Sequence, residues 1–505
     1  MKVRIFCLLA CVYLAFAELE PPWADGKIMW ETAKALVDKQ TLQLDMGGPS
    51  FFFTFRDGKK YGLYPLGNVI TLLPAYLAEK ALTALPKAPV ALLRVYMPHV
   101  APSLLAAAAC ALFFAVAQRE GARRRVALWL SLALGLQTLL VIYARVPWSE
   151  ALQTLLLLLL FERASALAVT PTVLGGLVAG LVCGWLVNTK LYNLLPVAVA
   201  GIYVVWQGRA LGRPLWRAVG AATAVFVPLG FAMLANNRVK TGTWFDTGYS
   251  AAGGELWTAA GYDAVFGYLV SPGRSFLVYS PILLLGLLGL PAYFRRDRGR
   301  ALLLVGLCLS LFLPYLKFRS WYGGQCWGPR YLVPLTPLLL LPAAPWMQSV
   351  FDQGIKRLAL AGIAVLSATS QAVQVLGCAF YWDHYIRIAQ NLRAPGTDEA
   401  LAYVATVFIP ELSPVPGHLW MLKHKLWDGD LAADMPWRRI LTHVPPNIAA
   451  IFDPIPIDVW FPTWFRSPGA APTWAAIMLG LFAAGVGWAA WGMRKRLRKP
   501  ESQRA

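Results

Sequence analysis

Most of this chain is apolar, and the side chains able to do chemistry stand where it turns polar. Asp25, Glu150, Lys190, Arg274, Arg319 and Arg330 all fall in segments between apolar runs. A carboxylate there can take a proton from an acceptor hydroxyl. Cations beside it can stabilise negative charge building on a departing phosphate. Asp25 lies a few residues past the first apolar run, at a bilayer surface, where an ionisable group is costly unless it has a task or a partner. It is the candidate base, with Glu150 as the second carboxylate. Lys190, Arg274, Arg319 and Arg330 are the candidate phosphate contacts, and Tyr64, Trp321, Tyr322 and Trp327 the candidate substrate-lining residues. A lipid phosphate suits this set, because its tail can lie between helices while its head reaches the interface.

Each residue also has a plainer reading. Asp25 can cap a surface helix, and Glu150 can cap the helix it opens, with Ser149 the better capping group. Lys190 can snorkel to head groups. Arg274 and Arg330 sit in Gly/Pro-bearing turns, where a guanidinium is a phosphate fork or an anchor. The aromatic residues at 321–331 can simply form an interfacial belt.

The elements that must position these groups follow from composition. The chain has 505 residues, 58% hydrophobic and 14% charged. Soluble proteins are about 45–50% apolar and about 25% charged, so the main solvent here is lipid. The apolar runs are continuous, which excludes a spanning barrel. The fold class expected is an all-α polytopic membrane protein of about a dozen spans, at roughly 20 residues each. The runs fall at about 5–17, 92–116, 126–143, 150–161, 173–187, 191–206, 219–234, 281–294, 301–315, one ending near 346, 358–376 and 474–491. The first also fits a cleavable signal peptide, but an uncleaved helix makes the parity of the others work. Between the first two, Ile28, Met29, Ala33, Leu36 and Val37 recur at helical spacing, which predicts an amphipathic helix in the first loop.

The formal net charge of +20 suggests topology, not nucleic acid. Basic residues abut apolar runs at Lys2 and Arg4, Arg119 and Arg123–Arg125, Arg209 and Arg213, Arg295–Arg300, Lys356 and Arg357, and Arg494–Arg496. With two separate helices on either side of Lys190, these loops all fall on one side, with both termini. The candidate chemistry falls on the other. Cys326 and Cys378 share that outer side, so a disulfide between them is an open reading; the other cysteines lie in apolar runs. No zinc spacing, Walker loop or Rossmann glycine fingerprint is present.

Several short motifs occur in a fixed order: Ala24-Asp25-Gly26, Asp57-Gly58-Lys59-Lys60-Tyr61 leading to Tyr64-Pro65-Leu66-Gly67, and Trp148-Ser149-Glu150-Ala151. Ser271-Pro272-Gly273-Arg274 with Tyr279-Ser280-Pro281, and Trp321-Tyr322-Gly323-Gly324 with Trp327-Gly328-Pro329-Arg330-Tyr331-Leu332, complete the set. Over roughly residues 1–345 the chain resembles the GT-C superfamily of membrane glycosyltransferases. The likeness is to its bacterial polyprenyl-phosphate-dependent branch, akin to protein O-mannosyltransferases and the lipid A aminoarabinose transferase. The resemblance implies transfer of a sugar from a polyprenyl-phosphate donor to an extracytoplasmic glycan, lipid or protein acceptor, with inversion. It implies Asp25 as base, Glu150 at the second acidic position, and Arg274 or Arg330 on the donor phosphate. Two departures stand out. Protein mannosyltransferases often show an acidic pair after the first helix, whereas Asp25 is followed by Gly26. The oligosaccharyltransferase metal-binding cluster is not evident, so no cofactor is expected and a divalent metal is left open.

The expected organisation is a membrane domain at 1–377 with a catalytic first loop at 18–91. An extracytoplasmic loop or small domain at 378–472 follows, then a last span and basic tail at 473–505. The expected location is a bacterial inner membrane, with the active site outside and both termini cytoplasmic. Membrane lipid is an expected partner and nucleic acid is not. A transporter or flippase is the main alternative, but such proteins place charges near the midplane in repeated halves. A non-catalytic scaffold using 378–472 is the other.

Overall fold

The structure is a computed structural model and describes residues 1–249, 257–354, 357–391, 399–427 and 455–498. Parts of two expected segments, 250–256 of the loop before the eighth run and 392–398 and 428–454 of the stretch after residue 378, lie outside the described residues, as does the tail from 499.

Each apolar run is mostly helical, with short breaks such as 137–139 in the third. The first half comprises α1 (Lys2–Ala15), α2 (Ala24–Asp38), α3 (Leu66–Thr83), α4 (Val90–Tyr96), α5 (Val100–Arg119), α6 (Arg124–Leu136), α7 (Leu140–Tyr143), α8 (Glu150–Leu167), α9 (Val173–Thr189), α10 (Leu194–Gly208) and α11 (Arg213–Thr241). The second half comprises α12 (Tyr262–Val270), α13 (Phe276–Tyr279), α14 (Leu284–Arg296), α15 (Arg298–Lys317), α16 (Thr336–Leu340), α17 (Ala343–Asp352), α18 (Arg357–Ala379), α19 (Trp382–Asn391), α20 (Glu399–Phe408), α21 (Pro414–Leu426), α22 (Trp460–Arg466) and α23 (Ala471–Arg498). Among the described residues six helical stretches are long and apolar enough to cross a membrane: Val90–Arg119, Leu191–Leu211, Arg213–Thr241, Arg298–Lys317, Arg357–Ala379 and Ala471–Leu497. The chain is an integral membrane protein of helices. The remaining runs are shorter or broken. Pro334, Pro337, Pro342 and Pro345 divide the tenth into a 3-10 turn, α16 and α17, because each proline removes a backbone donor.

Close helix contacts rest on small residues. A Cβ on Gly176 or Gly180 of α9 would stand 2.1 or 2.2 Å from the carbonyl oxygen of Ala218 or Ala222 on α11. This small-residue spacing lets two backbones touch where lipid supplies no hydrophobic drive. Helix α1 packs against α5 and α23, and its Tyr13 hydroxyl donates to the Gly135 carbonyl at 2.8 Å.

The first loop holds the predicted amphipathic helix as α2, with Ile28, Met29 and Ala33 buried and Leu36 and Val37 partly so. It also holds an antiparallel hairpin, β1 (Phe53–Arg56) and β2 (Lys59–Gly62). Asp57 and Gly58 turn it at φ of 51° and 71°, the pair of left-handed residues a two-residue turn requires. The hairpin is tied to the end of α11: Thr54 Oγ1 donates to the Lys240 carbonyl at 3.1 Å, and Arg56 Nη1 to the Arg238 carbonyl at 2.8 Å. Past residue 378, Phe380, Tyr385, Ile388, Leu412, Trp420, Met421 and Ile455 form a small apolar cluster separate from the main core. Cys326 and Cys378 are free thiols; Cys326 Sγ lies 3.4 Å from the Gly328 carbonyl instead.

Candidate active site

Asp25 sits in the first turn of α2, but it does not cap the helix. Trp23 holds the cap position, and no side chain bonds the free amides there. The carboxylate is spent on tertiary partners. Its Oδ1 accepts the Tyr64 hydroxyl at 2.6 Å, and its Oδ2 pairs with Arg330 Nη1 at 3.1 Å. Ala24, just before it, is held at φ of 47°, a conformation costly for a residue with a Cβ. Gly26, just after it, accounts for the missing acidic pair. A Cβ there would stand 2.8 Å from Pro147 and 3.0 Å from Trp148, so no second carboxylate fits.

Glu150 opens α8 and is buried. Ser149, expected as its cap, makes no capping bond; its hydroxyl accepts from Gln153 Nε2 at 3.0 Å. Glu150 Oε1 pairs with Lys190 Nζ at 3.2 Å, while Oε2 is buried without a partner. Lys190 therefore does not snorkel. It ends α9 and faces the rings of Tyr331 and Tyr192 at 5.3 and 5.8 Å. Burial works against its charge, and Glu150 beside it, together with the Tyr315 and Tyr331 oxygens, outweighs that and leaves its pKa above the usual lysine value.

Arg330 joins the two pairs. Its guanidinium carbon lies 4.6 Å from the Trp148 ring and 4.9 Å from the Tyr331 ring, which Lys190 also faces. Its Nε is buried without a partner. Burial again opposes the charge, and the oxygens of Tyr331, Asp25 and Glu150 outweigh it, so the pKa is raised. The site is thus a compact alternation of charges, Asp25, Arg330, Glu150 and Lys190, floored by Trp148 and Tyr331. One carboxylate oxygen, Glu150 Oε2, and one guanidinium nitrogen, Arg330 Nε, are buried there without a hydrogen-bond partner.

The structure also places the other expected residues. Tyr64, expected to line substrate, is hydrogen-bonded to Asp25, and burial first, then Asp25 itself, raises its pKa, so its hydroxyl stays a donor. Arg274 is fully buried, with its guanidinium turned to backbone: Nε donates to the Tyr322 carbonyl at 2.8 Å, Nη1 to Gly273 at 2.7 Å and Nη2 to Gly324 at 3.1 Å. It holds the 322–324 turn. Arg319 is exposed just past the end of α15. Trp327, expected to line substrate, is enclosed between Tyr279 at 5.2 Å and His418 at 4.5 Å and belongs to the core. Trp321 is buried as well, its ring over Gly267 and against Tyr268 at 5.3 Å. Tyr322 is half-buried, and it is its carbonyl that Arg274 holds.

Tertiary contact adds residues the motifs did not single out. Tyr315 stacks on Tyr331 at 4.4 Å and shares a hydroxyl contact with Tyr192, extending the aromatic wall beside Lys190. Tyr249 has its pKa raised by burial and then by Asp25. Buried Lys240 donates to the Tyr64 carbonyl, fixing the residue that holds Asp25. A lysine and a tyrosine closing and following an apolar helix were the available signal. No group of three or more metal-ligating side chains occurs among the described residues.

The helices and first-loop hairpin as a whole match the fold of a known structure. Among solved structures the chain is similar to ArnT from Cupriavidus metallidurans bound to undecaprenyl phosphate, with a TM-score of 0.51 and 16% identity over 97% of this chain and 77% of that one. An oligosaccharyltransferase from Archaeoglobus fulgidus matches less well, with a TM-score of 0.44 and 11% identity over 82% of this chain and 60% of that one. No family model matches the sequence, and no curated protein does.

Proposed function

We propose that this protein transfers a sugar from a polyprenyl-phosphate donor to a hydroxyl-bearing acceptor on the extracytoplasmic side of a bacterial inner membrane, with both termini cytoplasmic. The observation that carries it is the neighbouring pair of ion pairs, Asp25 with Arg330 and Glu150 with Lys190, both beside the Tyr331 ring, with one unpartnered nitrogen on Arg330. The undecaprenyl phosphate bound to the ArnT structure supports the choice of donor.

In this reading the donor phosphate competes with Asp25 for Arg330 and with Glu150 for Lys190. Binding then frees the Asp25 carboxylate, still oriented by Tyr64. Asp25 takes the proton of the acceptor hydroxyl as that oxygen forms a bond to the anomeric carbon. The bond from that carbon to the phosphate oxygen breaks on the opposite face, and its electrons leave with the polyprenyl phosphate. The configuration inverts. Arg330 and Lys190 stabilise the charge gained by the leaving phosphate, where a dry site makes them most effective. Arg274 acts one step away, as the support of the 322–324 turn, and Glu150 Oε2 is available to a sugar hydroxyl.

The test is incubation of purified protein with labelled polyprenyl-phosphate sugars and a hydroxyl acceptor, following release of label from the lipid. Asp25→Asn is expected to lower transfer by roughly 10²–10⁴-fold, the range for a lost general base, with normal membrane insertion. Unchanged transfer in that variant would remove the proposed base.

A further inference from the structure

The end of the bundle opposite the site carries a cluster of cations that the reaction does not use. The amino group of Met1 has its pKa lowered first by burial and then by Arg496, Arg124, Arg4 and Lys2, so cations from α1, α6 and α23 crowd together. Arg4 lies against the backbone of Gly492, with its guanidinium carbon 5.2 Å from the Trp488 ring. Its Nη1 is buried without a partner. Lys495 stands 5.2 Å from the Trp491 ring on the same helix.

Setting topology alone does not explain this crowding. Other basic residues at that end are neutralised: Arg300 pairs with Glu120 at 3.1 Å, Arg123 with Asp352 at 2.9 Å, and Arg119 and Arg163 with Glu162. No ion pair joins Lys2, Arg4, Arg124, Lys495 or Arg496 to a carboxylate among the described residues. Like charges held together repel, and an anion is what relieves them. Trp488 and Trp491 are exposed on α23, a helix long and apolar enough to span. Tryptophan at that level marks the head-group layer.

We propose that the ends of α1, α6 and α23 bind the phosphate head of an anionic phospholipid, with Arg4, Arg124 and Arg496 around the phosphate and the acyl chains along the outer face of α23. Delipidated full-length protein in detergent, titrated with phosphatidylglycerol or phosphatidylcholine, reads this directly by native mass spectrometry. Phosphatidylglycerol should be retained in preference. Each cation removed should weaken retention about fivefold, as for basic residues at an anionic membrane surface, so Arg4→Ala with Arg124→Ala should lose more than about tenfold. Arg4→Lys should keep most of it, and Arg209→Ala with Arg213→Ala, in another basic turn at this end, should change nothing. Arg124→Gln alone serves where the double variant fails to fold. Equal retention of phosphatidylcholine, competition by inorganic phosphate as strong as by the lipid, or a folded double variant that retains phosphatidylglycerol fully would overturn the proposal.

Discussion

Arg330 carries three duties on one side chain. It pairs with Asp25, stacks between Trp148 and Tyr331, and keeps one buried nitrogen free. Only a planar guanidinium does all three, since a lysine brings a point charge with neither fork nor face. Arg330→Lys is therefore expected to lower transfer by roughly 10²-fold, as for loss of one preorganised transition-state contact. Steady-state kinetics with varied donor checks it; a variant within a few fold of the parent would show that charge alone suffices.

Helices bring these side chains together only because their backbones can touch. Lys190 is delivered by the C-terminal end of α9, and α9 is set by Gly176 and Gly180 against Ala218 and Ala222 of α11. Gly180→Val would place a branched side chain where even a Cβ stands 2.2 Å from a backbone oxygen. The helices must part, at a cost of about 1–3 kcal/mol for overpacking. A lower thermal midpoint in detergent should appear together with reduced transfer, because Lys190 moves with its helix. An unchanged midpoint would mean that the helix pair yields without strain.

At the scale of the whole molecule, one buried ion pair fastens the end of the chain to its middle. Arg145 Nη2 lies 3.0 Å from Asp458 Oδ2, and its other nitrogens donate to the carbonyls of Phe16 and Cys378. Both side chains are almost wholly buried, at 1% and 3% exposure. Asp458→Ala would leave the guanidinium uncompensated, at about 3–5 kcal/mol, and Asp458→Asn should cost less because its oxygen still accepts. Thermal unfolding of the two variants checks the order. Equal loss in both would mean that the charge of Asp458, and not its accepting oxygen, is what matters.

The sequence alone determined the helical membrane fold and the amphipathic first-loop helix, because lipid demands long apolar runs and helical spacing is local. It also placed Asp25, Glu150, Lys190, Arg330 and Tyr64 among the candidates, since a charge between spans needs a reason. The Asp57-Gly58 turn carried the hairpin signal too. Partnership was decided only by tertiary structure. Arg274 and Arg330 both sit in Gly/Pro turns, yet one guanidinium meets three carbonyls and the other a carboxylate. Trp148 and Trp327 are both tryptophans beside motifs, yet one floors the site and the other fills the core. Which way such a side chain turns depends on residues tens to hundreds of positions away, and no local pattern encodes them.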